Sequence, residues 1–180
     1  MREYNKAMQK KLALLMVFLS STTTLLFAGE DGNHFSLGKQ YARSNQAEFA
    51  YMEFRKIIQS APDSSYRESA LFATGEYFAT LADFQETEAI FKQFCEEFPA
   101  SKLKIFALAY LYKVATINND TSARENFRTE IITFQQVGLI FKNSKQFKYL
   151  SPFHHQYRAI IEINKITVDK EGEILAEISY

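Results

Sequence analysis

The sequence predicts an all-α fold, a stack of helical hairpins with a short C-terminal extension, and three observations carry that expectation. Leu37-Gly38, Tyr41, Ala50, Phe54 and Pro62 are answered, 37 residues later, by Thr74-Gly75, Phe78, Thr87, Phe91 and Pro99. A fixed period of this size marks a stacked repeat. Within each copy the apolar residues fall three, four and seven apart, the spacing of one helix face. Each copy also ends on a proline, which pushes the preceding residue out of the helical region.

Each copy needs two helices joined by a tight turn. In the first helices, Gly38 and Gly75 cost helix propensity, which is tolerable where a second helix approaches too closely for a side chain. Tyr41 and Phe78, three residues on, lie on the same face and fill the space beside the glycine. In the second helices the inward stripe is Ala47, Ala50, Tyr51, Phe54, Ile57 and Ile58, then Phe84, Phe91, Phe94 and Phe98. Asn45 with Glu48, Ser65 with Glu68, and Asp83 with Glu86 have the spacing of capping boxes. Beyond Pro99 a third unit begins with Leu103, Phe106, Ala107, Tyr110, Leu111 and Val114, but without glycine or proline at the repeat positions. Asn118-Asn119-Asp120 is its turn. Ser122 with Glu125 opens a second helix carrying Phe127, Ile131 and Phe134 inward. A solenoid needs an atypical end unit, and residues 101–150 are expected to supply it, with a break near Gly138.

The tail reads differently. Ser151-Pro152 has the order of a cap and a first helical residue, so a helix is expected to run to about Asn164. Ile166 and Val168, then Ile174, Ala176 and Ile178, alternate with polar residues around a Glu171-Gly172 turn, which suggests a hairpin. An isolated two-stranded ribbon is marginal in water. It must lie on the helices, pair with a partner's strand or stay partly disordered. The expected organisation is thus 1–28 a signal segment, 29–150 the repeat domain, and 151–180 a helix plus possible hairpin.

The pattern Leu-Gly-x-x-Tyr, Ala-x-x-x-Phe, Pro in the first copy, and its looser version in the second, resembles the tetratricopeptide repeat. His34 stands where that family favours tryptophan, Thr87 replaces the small alanine, and three extra residues follow each proline. The Pro-x-Ser openings Pro62-Asp63-Ser64 and Pro99-Ala100-Ser101 are similar to the bacterial periplasmic branch, seen in the Tol-Pal cell-division coordinator and the outer-membrane assembly lipoproteins. The resemblance covers residues 34 to about 117. It implies a right-handed solenoid whose first helices line a concave binding face.

The N-terminus has the layout of a cleaved export signal. Arg2, Lys6, Lys10 and Lys11 precede the apolar run Leu12–Leu19, and Leu25-Leu26-Phe27 ends at the small Ala28. An uncleaved anchor is the competing reading, although the interrupted stretch is short against the roughly 20 apolar residues of a spanning helix. No cysteine follows the run, so the lipid attachment of the assembly lipoproteins is missing. Cleavage after Ala28 removes four basic and one acidic group from 21 of each, leaving 17 and 20, a net of −3. That balance argues against non-specific nucleic-acid binding. The single cysteine, Cys95, excludes an internal disulfide and reads as a small buried hydrophobe.

Nothing in the sequence carries catalysis. There is no phosphate loop, nucleophile elbow or zinc signature. His154 and His155 are adjacent, point about 100° apart on a helix, and have no metal-ligand spacing around them. No cofactor is expected, and an enzyme, a hydrolase for example, is the least favoured class. Charge is more informative. Lys142, Lys145 and Lys148 recur every three residues beside Phe141, Phe147 and Tyr149, and on a helix they would form one basic, anion-binding stripe. Counting from the repeat's glycines puts Phe35, Lys39, Phe72, Glu76, Ala109 and Lys113 on the concave face. The expected function is an exported adaptor in the periplasm that binds a protein or peptide segment of the envelope, with at most weak membrane contact. A structural subunit that oligomerises through its open third-repeat edge and tail is the alternative.

Overall fold

The computed structural model describes residues 29–136 and 144–180. It corrects the expected fold class: six packed helices are joined by a four-stranded antiparallel sheet, so the fold is α+β. The helices are α1 (29–43), α2 (Ala47–Ser60), α3 (Arg67–Thr80), α4 (Phe84–Glu97), α5 (Lys104–Ile117) and α6 (Thr121–Gln136). They form an all-helical region in which each helix packs on its neighbours in sequence, the arrangement of a helical repeat.

The period of 37 is written into the backbone of all three hairpins. Asn45, Ala82 and Asn119 each take φ of 56° in the turn between helices. The amides of Gln46, Asp83 and Asp120 each donate back to the carbonyls of Tyr41, Phe78 and Ala115, at 2.9–3.0 Å. This is a helix stop with one left-handed residue, followed at once by a new start. Ser64 and Ser101 sit at equivalent loop positions, and their hydroxyls bond the carboxylates of Asp31 and Glu68 in the helices that open copies one and two.

The glycines act as the spacing suggests. A Cβ on Gly38 would lie 2.6 Å from the Phe54 ring, and one on Gly75 would lie 2.8 Å from the Phe91 ring. Both rings are fully buried. In the third hairpin Tyr112 and Arg128 stand at these two positions, so the contact is lost from both sides at once. Ile57, Phe94 and Ile131, also 37 apart, keep the core continuous and have no exposed area. Of the expected caps, Asp83 accepts from the Glu86 amide at 3.1 Å. The others differ: Gln46 and Tyr66 occupy the N-cap positions of α2 and α3 without side-chain bonds, and Asp120 rather than Ser122 caps the start of α6.

The sheet is a meander in the order β1 (Ser144–Leu150), β2 (Gln156–Glu162), β3 (Lys165–Lys170), β4 (Glu173–Ser179). The expected hairpin is β3–β4, and its Glu171-Gly172 turn has positive φ at both residues, which matches the twist of the strands. The expected helix from Ser151 to Asn164 is overturned, since its second half holds strand β2 and its start is a turn, and the end of the expected third unit is β1. Tyr157, Ala159 and Ile161 are buried while Gln156, Arg158 and Glu162 are exposed, a two-residue period. A bulge at Leu175 turns Leu175 and Ala176 inward and Ile174 outward. The inner face of the sheet shares one core with α3, α4, α5 and α6. The expected break at Gly138 lies outside the described residues.

Candidate binding groove on the first-helix face

The first helices α1, α3 and α5 carry the face expected to be concave, and the sheet packs on it at α3 and α5. Phe72, Glu76 and Ala109, expected to line an open groove, have no exposed area. Their burial corrects that expectation. Phe72 meets Tyr149 of β1 and Tyr157 of β2 edge to face at 5.3 and 5.4 Å. Lys113 reaches Glu173 of β4 and holds its carboxyl below the usual range. The chain's own tail therefore occupies the central and C-terminal thirds of the face.

Glu76 anchors this contact. Its Oε1 accepts from Tyr157 Oη at 2.7 Å and bonds His155 Nδ1 at 2.6 Å, with Lys170 Nζ 3.6 Å away. Tyr157 spends its only proton on Glu76, so its oxygen accepts from Tyr110 Oη at 2.7 Å. The chain runs Tyr110 to Tyr157 to Glu76, from α5 through the sheet to α3. Burial, reinforced by the Glu76 charge, pushes both phenols above their ordinary range, which keeps them protonated donors. Glu76 Oε2 is buried without a partner among the described residues. A carboxylate so enclosed cannot meet substrate; it ties the sheet to the helices.

Phe35 and Lys39, the remaining first-helix predictions, are different. They line an open groove of about 150 Å³ between α1 and the 150–155 segment. Phe35 is half-buried, stacked on Tyr66 at 4.7 Å, and Lys39 Nζ lies 5.7 Å from its ring centre. Two groove residues were not singled out from the sequence as binding groups. Arg43 stands one turn beyond Lys39 on the same face, a signal readable from its i+4 spacing. Its Nε donates to His154 Nε2 at 2.7 Å. The 151–155 turn that carries His154 is closed by Ser151 N to His155 O and pinned by Phe153 edge-on to Phe54 at 5.7 Å.

The expected basic stripe does not form as drawn. On strand β1, Lys145 and Lys148 are three apart and fall on opposite faces. Lys145 lies over Phe147 at 4.6 Å, and Lys148 sits opposite Arg158 on the outer face. Lys142 lies outside the described residues. Among the described residues no group of three or more His, Cys, Asp or Glu could hold a metal. None of the described helices is long and apolar enough to cross a membrane. No protein-family model matches the chain, and no curated protein matches it.

Proposed function

We propose that the protein is an exported, non-catalytic adaptor of the tetratricopeptide type that binds a protein or peptide segment in the cell envelope. The observation that carries this reading is the division of the first-helix face. Two thirds of it is sealed by the C-terminal sheet, while the α1 third stays open, with Phe35 and Lys39 lining a groove. An apolar floor with a polar rim is the usual anatomy of a peptide site. The enclosed Glu76–Tyr157–Tyr110 chain favours a structural over a catalytic use of the chain's buried polar groups.

Export rests on the basic, apolar and small-residue layout of the first 28 residues. The test is in-cell photo-crosslinking. A photoreactive residue at position 39 should give a discrete higher-mass adduct in the envelope fraction, and the same residue at position 92, on the opposite helical layer, should not. Absence of an adduct at 39, or equal labelling at both sites, refutes the adaptor.

A further inference from the structure

The groove beside α1 is cationic as well as apolar, and the geometry points to an acidic peptide segment as its occupant. This rests on the adaptor reading and names its ligand chemistry. Phe35, Lys39 and Arg43 recur at i, i+4 and i+8 of α1, so they stand in one row along the groove. Neither Lys39 nor Arg43 makes an ion pair with a described residue; Arg67, Arg124, Arg128 and Arg158 each have a carboxylate within 4 Å, and Arg55 on α2 is the other described arginine without one. Among the described residues no acidic side chain lines the groove.

Arg43 is also held in place. His154 takes φ of 68°, a conformation that a non-glycine residue adopts at a cost unless its surroundings impose it. The Arg43 guanidinium is always protonated, so it donates to His154 Nε2, and the ring's proton sits on Nδ1, 3.0 Å from the Pro152 carbonyl. Nε is thereby occupied, and the two terminal nitrogens of the fork have no partner among the described residues, the arrangement suited to a carboxylate taken in bidentate fashion. Tyr149 lines the same groove; its hydroxyl, with Ser69 beside it, is buried and makes no hydrogen bond of normal geometry to a described residue. Two cations without an ion pair among the described residues and an aromatic wall complement a segment that alternates carboxylates with apolar side chains.

The test is fluorescence anisotropy on the protein purified as its host processes it. The probe is a short fluorescein-labelled peptide alternating Glu and Phe, compared with the same peptide carrying Gln for every Glu. The acidic probe should bind at least about tenfold more tightly than the Gln probe, and lose affinity with added salt. Lys39→Glu with Arg43→Glu should weaken it about tenfold or more, while Lys92→Glu with Lys102→Glu, which shifts net charge equally, should not. His154→Ala should weaken it less than the charge reversal, since it frees the guanidinium without removing it.

Equal affinity for the two probes, or unchanged binding by the double reversal, overturns the assignment. So does binding to phosphatidylglycerol vesicles that the double reversal abolishes when no peptide binds. An adduct at position 39 in cells together with a failed acidic probe would leave the adaptor standing and remove only its acidic ligand.

Discussion

Removing the Tyr157 hydroxyl should cost far more than removing its hydrogen-bond donor. In Tyr157→Phe the Glu76 carboxylate loses a charge-assisted bond, worth about 1.5–3 kcal/mol, in a site where its second oxygen already lacks a partner. Tyr110, only 5% exposed, is left with a stranded hydroxyl, a further loss of ~1 kcal/mol or more. Tyr110→Phe deletes only a neutral bond, about 1 kcal/mol, and leaves Tyr157 still donating to Glu76. The order should therefore be about 3 kcal/mol or more against about 1, or roughly 6–12 °C against 2–4 °C in melting temperature for a chain of this size. In the double variant no hydroxyl is stranded, so its loss should be no larger than that of Tyr157→Phe alone. Urea denaturation of the four proteins closes the cycle. Equal losses for the two single variants, or strict additivity in the double one, would refute the direction assigned to the chain.

Gly75→Leu should destabilise by ~1–3 kcal/mol more than Ala79→Leu, because only the first drives atoms into the buried Phe91 ring, which is itself stacked on Tyr110; thermal melts would show the gap. Cys95, whose thiol burial pushes up to about 12, should resist a thiol reagent at mildly alkaline pH until the protein is denatured, and rapid native labelling would contradict that placement. The Arg67 guanidinium, bonded to Glu97 at 2.8 and 2.9 Å, holds that carboxyl below its usual range. Its contribution is present above the unfolded carboxylate pKa and disappears as pH falls through the lower folded value. Glu97→Gln should thus be less stable than wild type near pH 7, and the difference should shrink as pH falls below the ordinary carboxylate range in parallel denaturation curves. Intact-mass measurement of the cellular product should return a chain beginning near Gly29; one retaining Met1 would mean an anchor.

The helical hairpins were legible because their constraint is local and recurs. Gly38 with Phe54 and Gly75 with Phe91 are one steric bargain made twice, and sequence spacing records it directly. The caps are less legible, since a capping pair can be read one or two residues off whenever several polar residues cluster, as at Asp120–Ser122. The strands are obscured for a related reason. Ser144–Leu150 carries lysines and aromatics whose spacing of three fits a helix, while the burial alternates every second residue. In Gln156–Glu162 the run Ala159-Ile160-Ile161 hides the alternation, and the preceding Ser151-Pro152, with a helix-start order, sits in a turn closed by Ser151 and His155.

Counting from glycines says which side chains share the first-helix face, not what fills it. The missing information is in the polarity of the first helices taken in turn. In α5, Ile105 through Leu111 are all buried, an apolar surface on every side that no single helical neighbour can cover. In α3, Leu71, Phe72 and Ala73 repeat the pattern, and Glu76 within it demands donors that the helices do not supply. His155, Tyr157 and Lys170 of the tail are those donors. The sheet is thus required by α3 and α5 before any partner is considered. In α1 the positions that answer Leu71, Phe72, Ala73 and Glu76 hold His34, Phe35, Ser36 and Lys39, with Arg43 one turn further on, and this helix can face water along part of its inner side. The falling polarity from α1 to α5 separates the part of the face that builds the fold from the part left free to bind.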